Sequence, residues 1–96
     1  DVEIDEKIKS KVTEPDMYRV IFLNDNATPM DFVIEILISI FRHSNDTARD
    51  ITVEVHEQGA SVVGTYTFEI AEQKAVEATT MSRSHGFPLQ IKVEKE

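Results

Sequence analysis

The polar residues that could do chemistry are concentrated in one segment, where Asn24, Asp25 and Asn26 follow an apolar run and precede Thr28 and Pro29. An Asn-Asp-Asn run is most often only a turn, because such side chains hydrogen-bond to the neighbouring backbone. Their amide and carboxylate oxygens are also acceptors for cationic groups. The residues alone therefore leave two interpretations open, a structural turn and a polar binding site.

Enzyme chemistry has little support elsewhere in the chain. His43, His56 and His85 are far apart and do not form a metal-ligand spacing, and cysteine is absent. The sequence contains no nucleophile-elbow, phosphate-binding or dinucleotide-binding motif. A lone His beside a valine, as at Val55-His56, is most often a half-buried structural residue. We therefore expect no catalytic residues, no metal site and no cofactor.

The composition predicts one small acidic domain. The chain has 96 residues, 41% of them hydrophobic, and a formal net charge of -8 at pH 7. This charge disfavours nucleic acid and anionic lipid and mildly favours a cationic or ammonium-bearing partner. Because cysteine is absent and no apolar run approaches about 20 residues, we expect a cytoplasmic protein that does not enter a membrane.

The chain divides into two compositional zones. Residues 1–16 are dominated by charge and lack glycine and aromatic residues, so they predict a flexible N-terminal arm. Residues 17–96 predict a globular domain. Within it, residues 51–55 alternate like a strand, but a helix cap in the run Ser44-Asn45-Asp46 and a stop at Gly59 favour a helix, which we adopt.

The predicted fold is α+β, a small sandwich of three helices on a three-stranded antiparallel sheet in the order β-α-α-β-α-β. Thr28 is predicted to cap the first helix, with Pro29 as its first helical residue. That helix is apolar around nearly its whole circumference, so it must be covered on two sides, by core alone or by core and a groove. The predicted elements are strand 18–23, helix 29–42, helix 45–58, strand 60–67, helix 68–84 and strand 88–93.

Five blocks of sequence resemble the ClpS adaptors, which recognise N-degrons for a bacterial AAA+ protease. The blocks occur in family order and spacing, and together they span residues 17 to about 95. Taken in order, they are Met17-Tyr18-Arg19-Val20, Leu23-Asn24-Asp25-Asn26-Ala27-Thr28-Pro29-Met30-Asp31-Phe32-Val33, Val55-His56 with Gly59, Gly64-Thr65-Tyr66-Thr67-Phe68-Glu69-Ile70-Ala71-Glu72-Gln73-Lys74, and Pro88-Leu89.

The resemblance implies a site for a protein N-terminus. Asn24, Asp25 and His56 would surround its α-amino group, because an ammonium has three N–H donors and these side chains offer three acceptors. Asn26 and Thr28 would lie at the mouth of a pocket for the first side chain. The residues expected to line this pocket are Met30, Val33, Thr52, Val55 and Leu89.

The resemblance also implies partners. Substrates would begin with Leu, Phe, Tyr or Trp and be delivered to a ClpA-type unfoldase with its ClpP protease. Glu69 and Lys74 would dock on the N-terminal domain of the unfoldase, and the arm at residues 1–16 would take part in delivery. The alternative is a protein-interaction module like the C-terminal domain of the ribosomal stalk protein, which would need no free α-amine.

Three residues depart from the family pattern. Asn26 replaces the usual second Asp, Ala27 replaces a commonly larger residue, and Thr52 stands where well-known members carry a Met that gates the pocket. Because Thr is shorter and stiffer than Met, we expect a wider mouth and a flatter preference. N-terminal Ile or Val should then bind within about tenfold of Leu.

Overall fold

The computed structural model describes residues 15–96, so residues 1–14 of the predicted arm lie outside the described part of the chain. The described residues form the predicted α+β sandwich, with three helices and a three-stranded antiparallel sheet of order β2-β1-β3. The elements are β1 (Met17–Leu23), α1 (Met30–Ser39), α2 (Asn45–Gln58), β2 (Ala60–Thr67), α3 (Phe68–Ser84) and β3 (Gln90–Lys95).

The middle strand β1 carries the centre of the core. Val20 and Phe22 are fully buried, whereas their neighbours along the strand are only half-buried, as expected for a strand with helices on one face. α3 packs along the sheet through a row of small buried residues, Ala71, Ala75 and Ala78. The small side chains allow a close approach of helix and sheet.

The ambiguous segment at residues 51–55 is helical, as predicted. Ser44 caps α2, since its hydroxyl accepts from the Thr47 N–H at 3.2 Å. Gly59 ends the helix with φ of +89°, a left-handed conformation that a residue with a Cβ rarely adopts. The caps at both ends of the helix thus outweigh the preference of these residues for a strand.

The first helix differs from its prediction at both ends. The N-cap position is Pro29 rather than Thr28, and helix α1 ends at Ser39 rather than near Arg42. Ile40 and Phe41 are nevertheless buried, and Arg42 adopts a φ of +62° in the turn that follows. The apolar pattern therefore reports the buried residues correctly but does not distinguish the last helical turn from the buried turn after it.

The last strand also begins later than predicted, at Gln90 rather than Pro88. Proline has no N–H to donate to a sheet, so the ladder starts after it. The Tyr66 side chain approaches Gly64 closely: a Cβ there would lie 2.3 Å from the Tyr66 hydroxyl oxygen. The β1–β2 register also shifts beside it, between Val20 and Ile21.

Candidate functional site

The segment after β1 is held in place by the carboxylate of Asp25. Its Oδ1 accepts from the backbone N–H groups of Ala27 at 2.8 Å and Thr28 at 2.7 Å. Its Oδ2 accepts from the Thr28 hydroxyl at 2.8 Å. Thr28 therefore uses its hydroxyl within this loop and does not cap α1, which explains the shifted helix start.

These hydrogen bonds also favour the ionised form of Asp25. Partial burial alone would raise the pKa of Asp25, but the Ala27 N–H, the Thr28 hydroxyl and N–H, and the charge of Arg83 outweigh it. The net effect holds the pKa of Asp25 below its ordinary value of 3.8. The loop thus presents a stable negative charge at the surface.

The same loop is tied to the end of α2. The Asn24 N–H donates to the Gly59 carbonyl oxygen at 2.9 Å, and the Gly59 N–H donates to Val55 O at 3.0 Å. His56 lies in the last turn of α2, where it is exposed. One backbone link therefore brings the polar loop close to His56, although 31 residues separate Asp25 and His56 in the sequence.

A cavity of about 340 Å³ opens between this loop, α1 and α2. The structure brings all ten predicted residues of the N-terminus site to this one cavity. The residues that line it are Leu23, Asn24, Asp25, Asn26, Thr28, Pro29, Met30, Val33, Thr52, Val55, His56 and Leu89. The polar loop and His56 thus border the same space as the apolar residues.

The wall of the cavity is buried and mostly apolar. Val33, Val55 and Leu89 are 5%, 4% and 1% exposed, and they come from α1, α2 and the segment before β3. Met30, in contrast, lines the same cavity but is 42% exposed. The cavity can therefore hold an apolar side chain next to polar acceptors.

Thr52 is not at the mouth, where the sequence placed it. It is 2% exposed, and its hydroxyl donates to the Ala48 carbonyl oxygen at 2.7 Å within α2. The hydroxyl is consequently satisfied inside the helix. Thr52 belongs to the buried wall of the cavity, and Met30 is the exposed long side chain of the lining.

Sequence reasoning missed three residues at this site. Leu23 and Pro29 line the cavity and flank the polar loop, so their position beside Asn24 and Thr28 was the available signal. Arg83 is near enough to Asp25 for its charge to act there, although it comes from the last turn of α3. No local pattern in the sequence connects α3 with this loop.

The predicted docking residues lie on α3, away from the cavity lining. Glu69 is exposed in the first turn, and Lys74 is half-buried. The Lys74 ammonium donates to Ile40 O at 2.8 Å and lies 6.0 and 5.5 Å from the ring centroids of Phe41 and Tyr66. Lys74 therefore contributes to the fold as well as to the surface.

Residues 15–96 contain no group of three or more His, Cys, Asp or Glu side chains that could hold a metal ion. Over the same residues, every helix is too short or too polar to cross a membrane.

Comparison with known proteins gives the family. The family model "ATP-dependent Clp protease adaptor protein ClpS" matches residues 13–92. Clp protease adapter proteins ClpS from Treponema denticola and Campylobacter jejuni are 48% and 46% identical over 88 residues. These alignments cover 92% of this chain, and 87% and 92% of the two relatives.

A solved structure agrees with the sequence matches. Agrobacterium tumefaciens ClpS2, bound to L-phenylalaninamide, superposes with a TM-score of 0.84 at 42% identity. The match covers 86% of this chain and all of that one. The chain therefore belongs to the ClpS family, the adaptor proteins of the ATP-dependent Clp protease.

Proposed function

We propose that this protein is a non-catalytic adaptor that binds N-degrons. It takes a free α-amine followed by Leu, Phe, Tyr or Trp and delivers the bound protein to a ClpA-type unfoldase and ClpP protease. The observation that carries this proposal is the single cavity bordered by polar acceptors on one side and by a buried apolar wall on the other. The cysteine-free sequence and the bacterial relatives support a bacterial cytoplasmic location.

The α-amine fits the acceptors that remain available. A carboxylate has about four acceptor sites, and the loop uses three of those of Asp25, which leaves one on Oδ2 for a ligand N–H. Within residues 15–96, the side chains of Asn24 and His56 make no hydrogen bond to another residue. An amide oxygen and an unprotonated ring nitrogen complete a set of three acceptors.

The apolar wall would select the first side chain. A lysine side chain has the same ammonium donors, so the acceptors alone do not distinguish it from an N-terminus. Burying a Leu or Phe side chain contributes about 1.5–3 kcal/mol, which is roughly 10- to 150-fold in affinity. The ligand of the Agrobacterium relative, phenylalaninamide, combines an α-amine with such a side chain.

Docking and delivery rest on α3 and the arm. Glu69 is exposed on α3, outside the cavity lining, so an unfoldase bound there would leave the peptide site accessible. We expect Glu69 and Lys74 to contact the N-terminal domain of the unfoldase and residues 1–16 to act in delivery. Addition of the protein should accelerate degradation of a Phe-first reporter by ClpA-type unfoldase and ClpP, and Glu69→Gln should reduce this acceleration.

A peptide series that varies only the first residue tests the proposed specificity. Peptides beginning with Leu, Phe, Tyr or Trp should bind about tenfold or more tightly than those beginning with Ala, Asp or Lys. Two matched valine truncations on α2 locate the site: Val55→Ala shortens the buried wall, and Val53→Ala changes an exposed position. The ratio of affinities between peptides that begin with a large apolar residue and those that begin with Ala, Asp or Lys should fall for Val55→Ala and stay unchanged for Val53→Ala. Equal affinity for all first residues would reject the proposal.

A further inference from the structure

The chain reversal after α3 is fixed by a Schellman motif. The Phe87 N–H donates to Ser82 O and the Gly86 N–H donates to Arg83 O, both at 2.9 Å. Gly86 has a φ of +79°, the left-handed conformation that this motif requires. These bonds define the backbone as far as Phe87.

On the other side, the sheet defines the backbone only from Gln90, which pairs with Leu23. Pro88 and Leu89 lie between the two defined regions. Pro88 has no N–H donor, yet Leu89 is 1% exposed and lines the first-residue cavity. The backbone of Leu89, which forms this part of the cavity wall, is therefore held neither by the hydrogen bonds of the helix cap nor by those of the sheet.

The side chain of Arg83 spans this interval. Its Nη1 donates to the carbonyl oxygens of Phe87 at 3.0 Å and Leu89 at 2.9 Å, on the two sides of Pro88. A guanidinium is planar and rigid, so a nitrogen that holds two carbonyl groups fixes their relative position. Arg83 thus links the end of α3 to the start of β3.

Arg83 also acts on the polar side of the cavity. Partial burial raises the pKa of Asp25, and the loop hydrogen bonds and then the Arg83 charge lower it. Arg83 therefore contacts the wall directly through the Leu89 carbonyl group, and its charge adds the smallest of the contributions that lower the pKa of Asp25.

From these contacts we infer that Arg83 is a positioning residue for N-degron recognition, because it sets the shape of the pocket through Leu89, while its positive charge has a smaller influence at Asp25. This inference rests on the proposed function for its effect on peptides. Its effects on Leu89 and Asp25 are properties of the free protein. Arg83 contacts the ligand in neither role.

Three substitutions separate the two roles. Arg83→Lys keeps the charge but loses the planar guanidinium, whereas Arg83→Gln loses the charge and is too short to reach the Phe87 and Leu89 carbonyl groups. Arg49→Gln is the matched control, because Arg49 lies on exposed α2 surface and its Nε donates to Asn45 Oδ1. Each protein is titrated with peptides that begin with Phe or Ala and are otherwise identical. In the free protein, the Asp25 carboxyl titration and the Leu89 amide exchange are followed by NMR.

Both Arg83 variants should bind the Phe-first peptide about tenfold more weakly, the effect of losing one bond from a charged group. They should also show a smaller Phe-to-Ala affinity ratio and faster exchange at the Leu89 amide. Only Arg83→Gln should move the Asp25 titration to higher pH, and Arg49→Gln should match the wild type. A merely structural Arg83 would lower the melting temperature and leave the Phe-to-Ala ratio unchanged.

An unchanged affinity ratio or unchanged Leu89 exchange in both variants would overturn the inference. Failure of the wild type to bind any peptide would instead reject the proposed function. In that case the Asp25 titration and the Leu89 exchange still decide whether Arg83 positions these two residues in the free protein.

Discussion

The cavity and the exposed start of α3 use their charged side chains in different ways. At the cavity, Asp25 satisfies its own loop and still has an acceptor site directed away from these bonds. On α3, the Lys74 ammonium is bonded to Ile40 O and packed near two aromatic rings, while Glu69 remains exposed. In the first region one carboxylate holds its loop and keeps an acceptor site available, and in the second region one of the two charges, that of Lys74, stabilises the fold.

Because of this difference, a loss of function after substitution has a different structural explanation to exclude in each region. At the cavity, loss of binding has to be separated from loss of the loop. On α3, loss of docking has to be separated from loss of stability. In both regions a disruptive substitution therefore needs a second one that preserves either the shape or the charge of the side chain.

The largest effect is expected at Asp25. Asp25→Ala or His56→Ala should cost roughly 1.5–3 kcal/mol of peptide binding, the usual range for a bond to a charged group. Asp25→Asn keeps an oxygen for the Ala27 and Thr28 N–H groups but replaces Oδ2 with an NH2 donor, so it preserves part of the loop and removes both the charge and the acceptor proposed for the amine. Calorimetric titration with a Phe-first peptide measures the affinity of each variant, and Asp50→Asn, at an exposed position, is the control. Wild-type affinity in Asp25→Ala would exclude this carboxylate from the amine site.

The next effect concerns stability on α3. Lys74→Met keeps the aliphatic chain but loses the bond to Ile40 and the contacts with Phe41 and Tyr66, so the free energy of unfolding should fall by about 1–2 kcal/mol. Glu69→Gln should change it by less than about 0.5 kcal/mol. Urea unfolding provides the measurement. Both variants should weaken unfoldase binding and retain peptide affinity; a folded variant that loses both functions would contradict the separation of the two surfaces.

A smaller effect is expected at Thr52 in the cavity wall. Wild-type protein should bind Ile-first and Val-first peptides within about tenfold of Leu-first peptides, because Thr leaves room beside a β-branched side chain. Thr52→Met fills that room and should sharpen the preference for Leu. Thr52→Val preserves the size and removes only the hydroxyl bonded to Ala48, so it should behave like the wild type. Equal discrimination by all three proteins would show that position 52 does not set the preference.

The smallest effect is the pH dependence of stability at Asp25. Its pKa is lowered in the folded state, so its ionised form adds stability that is fully present above the unfolded value near 3.8. This contribution is lost as the pH falls through the lower, folded-state pKa. The difference in unfolding free energy between wild type and Asp25→Asn should be constant above about pH 5 and shrink at lower pH. A difference independent of pH down to the acid transition would contradict the hydrogen-bonded carboxylate.

Element identity could be predicted from the sequence wherever caps and breakers mark the ends. Ser44 and Gly59 bound α2 despite its strand-like centre, and Gly86 follows the end of α3. The end of α1 could not be predicted in this way. Ile40 and Phe41 are buried like helix residues but lie in the turn, and hydrophobicity reports burial rather than backbone conformation.

The cavity residues that lie within local sequence motifs could be predicted from the sequence. Asn24 to Val33 and Val55-His56 are recognisable blocks, and the structure brings them to one cavity. The depth of Thr52 depends on the rotation of α2 against α1, which a motif does not specify. The contribution of Arg83 depends on a side chain crossing from α3 to the loop before β3, a long-range contact without a sequence pattern.

The most direct test of N-terminus recognition compares two peptides that differ only at the α-amine. One begins with free Phe and the other with N-acetylated Phe, so the side chain and the rest of the peptide are identical. Removing the ammonium leaves Asn24, Asp25 and His56 without their charged donor, and we expect affinity to fall by about 100-fold or more. Equal affinity for the two peptides would contradict an α-amine site and favour an interaction module that needs no free N-terminus.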